Sequence, residues 1–180
     1  RIPPHLDGIG DKLNANWLKT VLDKGANDRQ YMLARMPRFG MANVGHLVDS
    51  FVKLDRKEGE IRKITTSMSR LKSTGRKLVG DRGLSCIKCH DFAKHKATGI
   101  QAMSLTTMTK RLREDWFHRY MYNPQDYRPG TRMPSAWPFG RTVIPDVLKG
   151  DTHTQIHAVW SYLSDAERAA VPRGIVRSAI

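Results

Sequence analysis

Residues 83–92 read GLSCIKCHDF and hold both cysteines of the chain, Cys86 and Cys89, with His90 directly after the second. Two sulfurs separated by two residues sit on one short turn, and the adjacent imidazole can reach whatever the turn holds. Haem c is joined to such a C-x-x-C-H pentapeptide by two thioether bonds, and the histidine ligates the iron. A structural zinc ion needs four ligands. Cys86, Cys89, His90 and His95 are on offer, but no convincing second ligand pair lies farther away. A redox dithiol needs a strand–helix–strand setting, and none is visible. The pentapeptide favours haem and does not by itself exclude the other two.

A six-coordinate haem iron needs a second axial ligand, and a loop methionine is a common partner of histidine. Met133 stands in Pro129-Gly130-Thr131-Arg132-Met133-Pro134, where Gly130 permits a sharp turn and Pro134 stiffens the loop. The chain has eight methionines, most of them expected in the core. Met133 is set apart by its loop and by a repeat. His118 is the rival second ligand, but its helix position predicts exposure.

The repeat organises the elements that must position these residues. LDGIGDKLNANWLKTVL from Leu6 aligns with LTTMTKRLREDWFHRYM from Leu105 at an offset of 99. Leu13 then matches Leu112, and Trp17 matches Trp116. Farther on, Arg35-Met36-Pro37 corresponds to Arg132-Met133-Pro134. Each copy continues into an amphipathic segment, with Val44, Leu47, Val48 and Phe51 in the first and Ile156, Val159, Trp160 and Leu163 in the second. One helix is expected from Asn14 or Asn16 to Gly25, and one from about Thr109 to Asn123 before Pro124. Ser73 or Thr74 could open a short helix carrying Leu78 and Val79, and Asp151 or Thr152 could cap the last. The reading is all-α: a first lobe over 1–54, a basic linker over 55–72, a second lobe over 73–165 and an extension over 166–180.

The second lobe resembles a class I cytochrome c domain from end to end. GRKLVGDRGLSCIKCH is similar to that family's first helix and attachment turn. WFHRYMYNPQDYRPGTRMP is similar to its later helix and methionine loop, and IHAVWSYLSD to its last helix. The resemblance implies His90 as proximal and Met133 as distal iron ligand, and first and last helices that cross beside the haem edge. The first lobe resembles the same family from its middle onward, so Met36 would be a distal ligand if a second haem were attached upstream. No C-x-x-C-H precedes it here. The lack of a starting Met suggests a processed chain or part of a longer one, and paired cytochrome modules of bacterial exported proteins are a looser likeness.

Trp116 is expected against the haem plane or behind the methionine loop. Tyr120, Tyr127, Arg128 and Arg132 could hydrogen-bond a propionate. His153 and His157 stand four apart but have no evident carboxylate or cysteine partner. The net charge of +14 predicts attraction to an acidic partner, and the family implies a periplasmic or otherwise exported redox protein rather than an enzyme. A cytochrome subunit of a dehydrogenase or a dihaem peroxidase-like protein is the alternative. A zinc-stabilised nucleic-acid binder is the least favoured. No apolar run is long enough to span a membrane, and no hydrolase elbow, phosphate loop or dinucleotide fingerprint occurs.

Overall fold

The computed structural model describes residues 5–26 and 36–175. Met36 lies within them; Arg35 and the end of the C-terminal extension lie outside. The described chain is all-α, and its only β pairings are isolated bridges. Nine α-helices are α1 Ile9–Lys12, α2 Ala15–Lys24, α3 Met41–Val44, α4 His46–Asp55, α5 Met68–Val79, α6 Met108–Arg111, α7 Glu114–Tyr122, α8 Pro124–Tyr127 and α9 Thr152–Leu163. Short 3-10 turns join them.

Local chemistry explains most of the ends. Asn14 caps α2, its side chain accepting from Trp17 N–H at 2.8 Å, and Gly25 closes the helix at φ 68. Asp151 caps α9 by accepting from Thr154 N–H at 2.8 Å. Along α2 the buried stripe is Trp17, Leu18 and Leu22; along α5 it is Leu71, Gly75, Leu78 and Val79.

Two expected boundaries move. Helix α5 begins at Met68, inside the segment read as a linker, because Leu71 is buried and extends the apolar stripe by one turn. The rest of that segment is irregular but tied down: Arg62 pairs with Asp151, and Lys57 N–H donates to Asp11 at 3.1 Å. The helix expected over 109–123 is broken, since Leu112 is extended between α6 and α7.

Leu112 is extended because it pairs with Leu13 in an antiparallel bridge. Asn14 N–H donates to Arg111 C=O at 2.9 Å, and Arg113 N–H donates to Lys12 C=O at 3.0 Å. The bridged leucines are the pair that the repeat aligns, and α1 and α2 start where α6 and α7 do, 99 residues earlier. The contact is nearly reciprocal in side chains too. Lys12 lies over the Trp116 ring at 5.0 Å, and Lys110 over the Trp17 ring at 5.3 Å. Beside it, Arg119 on α7 donates to both oxygens of the buried Asp11 on α1 at 2.7 and 2.8 Å. Burial works against the Arg119 charge, but Asp11 and then Tyr127 and Asp115 hold its pKa up. Asp11→Ala should cost about 2 kcal/mol, less than for a fully buried pair because Arg119 is partly exposed; urea denaturation reads it.

The most extensive helix packing is between α5 and α9. A Cβ on Gly75 would lie 2.0 Å from Ala158 C=O and 2.6 Å from Tyr162 Cβ. The two backbones touch, and only glycine allows it. Gly75→Ala must push the helices apart and should destabilise by about 2 kcal/mol or more, lowering the melting temperature by about 4–8 °C. An unchanged melting curve would refute this close crossing.

Candidate functional site

The C-x-x-C-H turn hangs from the end of α5. Leu84 N–H donates to Leu78 C=O at 2.6 Å, and Ser85 takes the left-handed conformation at φ 55. Residues Cys86–Lys88 then form one 3-10 turn, closed by Cys89 N–H and His90 N–H, which both donate to Cys86 C=O at 3.1 and 2.9 Å. Both thiols are free and half-buried on this turn, with His90 at its exit.

The following segment folds back over His90. Ala102 N–H donates to Cys89 C=O at 2.7 Å, and Leu105 N–H to Asp91 C=O at 2.8 Å. Asp91 accepts from Ala97 N–H at 2.9 Å and from Lys96 at 2.8 Å. Burial alone would raise the Asp91 pKa; these two donors bring it below the usual carboxylate range. His90 Nδ1 lies 2.8 Å from Met103 C=O. A carbonyl can only accept, so Nδ1 carries the proton and Nε2 is the nitrogen available to a metal. Burial keeps the imidazole pKa below its ordinary value despite Met103 and Asp91, so the ring is neutral, as ligation requires.

The Cys86 thiol is ill suited to redox exchange. Burial pushes the Cys86 thiol up to about 12, whereas an attacking cysteine needs a depressed pKa. Phe92, just past the motif, is fully buried and stacks on Tyr162 of α9 with centroids 6.0 Å apart.

Met133 is half-buried and packs against the core on a loop that is braced from within. Gln125 of α8 donates to Thr131 C=O at 2.9 Å and accepts from Gly130 N–H at 3.1 Å; Thr131 Oγ1 accepts from Met133 N–H at 3.3 Å. Trp116 is buried beneath the entry to this loop. It stacks on Tyr120 at 4.7 Å and meets Tyr127, the last residue of α8, edge-on at 5.7 Å. Arg128 and Arg132 are exposed, and Met36 is exposed in its own segment.

Sequence reasoning missed Trp137 and Gln155. Trp137 is fully buried and donates through Nε1 to Gln155 Oε1 at 2.9 Å, which also accepts from Thr142 Oγ1 at 2.6 Å. Gln155 Nε2 donates to Val147 C=O at 2.7 Å and Ile144 C=O at 3.0 Å. One side chain of α9 thus holds the stretch that follows Met133. The available signal was a glutamine in the apolar register of a helix, at i−4 from Val159.

The histidine expectations also change. His118 is not exposed: its Nε2 is buried, and its ring faces His153 and His157 on α9. Burial first, and then those two imidazoles, bring its pKa down to about 4. His157 does have a carboxylate neighbour, with Glu114 Oε1 2.9 Å from its Nδ1.

Gln155→Leu keeps the volume but strips partners from the buried Trp137 donor, the half-buried Thr142 hydroxyl and two carbonyls. It should cost about 3 kcal/mol and speed proteolytic cutting within 137–147, read by limited proteolysis and melting. Comparison of the chain with protein-family models, curated proteins and solved structures finds no match.

Proposed function

We propose that this chain is a one-electron carrier that holds haem c covalently through Cys86 and Cys89, with His90 and Met133 as axial ligands. The observation that carries the reading is the His90 ring. Its Nδ1 is engaged by Met103 C=O, its Nε2 is left for iron, and both thiols stand on the same turn. Haem c bound there would supply a reversible Fe(II)/Fe(III) couple.

The protein's own groups have three tasks. The 3-10 turn and the fold-back of 91–105 fix the imidazole plane and tautomer. The Gln125-braced loop presents the Met133 thioether without a charge. Trp116, Tyr120 and Tyr127 back α8 and help keep water from the methionine loop. If His90 and Met133 both held the iron, substrate would have no ready access to it, which favours a carrier over an enzyme. Arg128 and Arg132 are exposed at the loop and are suited to contact propionates or an acidic redox partner. The excess of Lys and Arg would steer such a partner, with association slowing as salt rises. No described helix is long and apolar enough to cross a membrane. Attachment of haem c places the protein in the periplasm or another exported location on this reading.

The reciprocal Leu13–Leu112 contact favours an extension of the proposal: residues 5–54 are the later part of a second cytochrome c-like lobe, with Met36 as distal ligand only if a second haem is attached upstream.

The test is a pyridine haemochrome spectrum with intact mass on the native protein. One haem c per chain, lost in His90→Ala, is the expected result. Met133→His should lower the reduction potential by on the order of 0.1–0.3 V. Two haems per chain would bring Met36 into play. Rapid binding of cyanide or turnover of peroxide would turn the reading toward an enzyme subunit. A colourless, haem-free protein would overturn it.

A further inference from the structure

Helices α7 and α9 face each other through a row of ligating side chains. Glu114 and His118 are one turn apart on α7; His153 and His157 are one turn apart on α9. The His118 ring lies between the two others, with centroids 6.0 Å from His153 and 6.4 Å from His157. Glu114 Oε1 lies 2.9 Å from His157 Nδ1.

Three polar atoms in this row are buried without a hydrogen bond: Glu114 Oε1, His118 Nε2 and His157 Nδ1. Glu114 and His157 face each other at 2.9 Å as an ion pair whose alignment is poor, and Trp160 also lies against the Glu114 carboxylate. His118 Nε2 is buried beside this imperfect pair with no partner of its own, and buried polar atoms are nearly always satisfied, so the row calls for a shared partner. A hydrogen-bonding zipper would satisfy at most some of its polar atoms. A cation with imidazole and carboxylate affinity satisfies all three.

We infer that Glu114, His118, His153 and His157 form a zinc-binding site that clamps α7 to α9. Three imidazoles and a carboxylate make a complete tetrahedral set. Among the described residues no three such groups already stand at ligand distance, so the rings must close in. Two imidazoles on one zinc at about 2.1 Å bring their centres to about 5 Å, which is about 1 Å nearer than here. His153 is exposed, with its ring against His118 and Tyr122, and it is the ligand that would have to turn inward. The clamp would join the helix that carries Trp116 to the one that carries Gln155, and so would stiffen both supports of the Met133 loop. It does not depend on the haem reading.

The test uses the full native chain after dialysis against a chelator, titrated with zinc by calorimetry, with the melting temperature read in parallel. The expected result is one zinc per chain with a micromolar or tighter Kd and a raised melting temperature. His153→Gln, at an exposed position that leaves the fold intact, should weaken binding at least tenfold, and His118→Gln with His157→Gln should abolish it. A Kd weaker than about 100 µM, or affinity unchanged in these variants, overturns the site. Zinc that survives the histidine changes but is lost on thiol alkylation would lie at Cys86 and Cys89, and would overturn the haem attachment as well. Absence of zinc binding in a haem-bearing protein would overturn this site alone.

Discussion

Everything around the candidate site is referred to one close crossing, where α5 meets α9 at Gly75. With no Cβ at that position the backbones come into contact, and Leu71, Leu78 and Val79 are driven against the apolar face of α9. The cysteine turn is hydrogen-bonded to the end of α5, so its place follows from that crossing. Phe92 is stacked on Tyr162, and the stretch after Met133 is held by Gln155. The proximal turn and the support for the methionine loop therefore both refer to α9. Interiors are close-packed and resist gradual deformation, so such a frame can fix His90 and Met133, 43 residues apart in the chain, against the same helix.

The second organising contact works by pairing like with like. Two backbone hydrogen bonds at Leu13 and Leu112 and two lysine–tryptophan contacts are individually small, on the order of 1 kcal/mol each. The Asp11–Arg119 pair, in which one guanidinium nitrogen donates to both carboxylate oxygens, adds a charge-assisted contact. Together they join α1 and α2 to α6 and α7 in one continuous core. A repeated segment can meet its own copy in this way because complementary edges are then encoded twice. Extension of Leu112 is the cost, and it divides what would otherwise be a single helix.

The chemistry of the turn is one of neutral, shielded groups. Burial keeps the His90 imidazole neutral and pushes the Cys86 thiol up. The charged atoms stay outside this shell: Asp91 is occupied by Lys96 and by backbone, and Arg128 and Arg132 stand in solvent. Low local polarity favours neutral side chains at this turn, and the basic charge is left on the outside, where its field reaches farther.

What the sequence by itself determined was local. Cys86, Cys89 and His90 on one turn, a cap at Asn14 or Asn16, a cap at Asp151 or Thr152 and the Gly25 stop are each legible within one or two turns of chain, and the repeat by comparing two such stretches 99 residues apart. Periodicity and capping act over that range, so the all-α character could be read as well. The start of α5 at Met68, the break at Leu112, the role of Gln155 and the inward face of His118 were decided only by tertiary structure. Each of them depends on a partner far along the chain: α9 for α5, Leu13 for Leu112, Trp137 for Gln155 and His153 for His118. A polar residue in an apolar register looks like a flaw until its partners arrive. A helix break looks arbitrary until the facing strand of backbone is present, because the hydrogen bond that replaces the helical one, from Arg113 N–H, goes to Lys12 C=O at the far end of the chain.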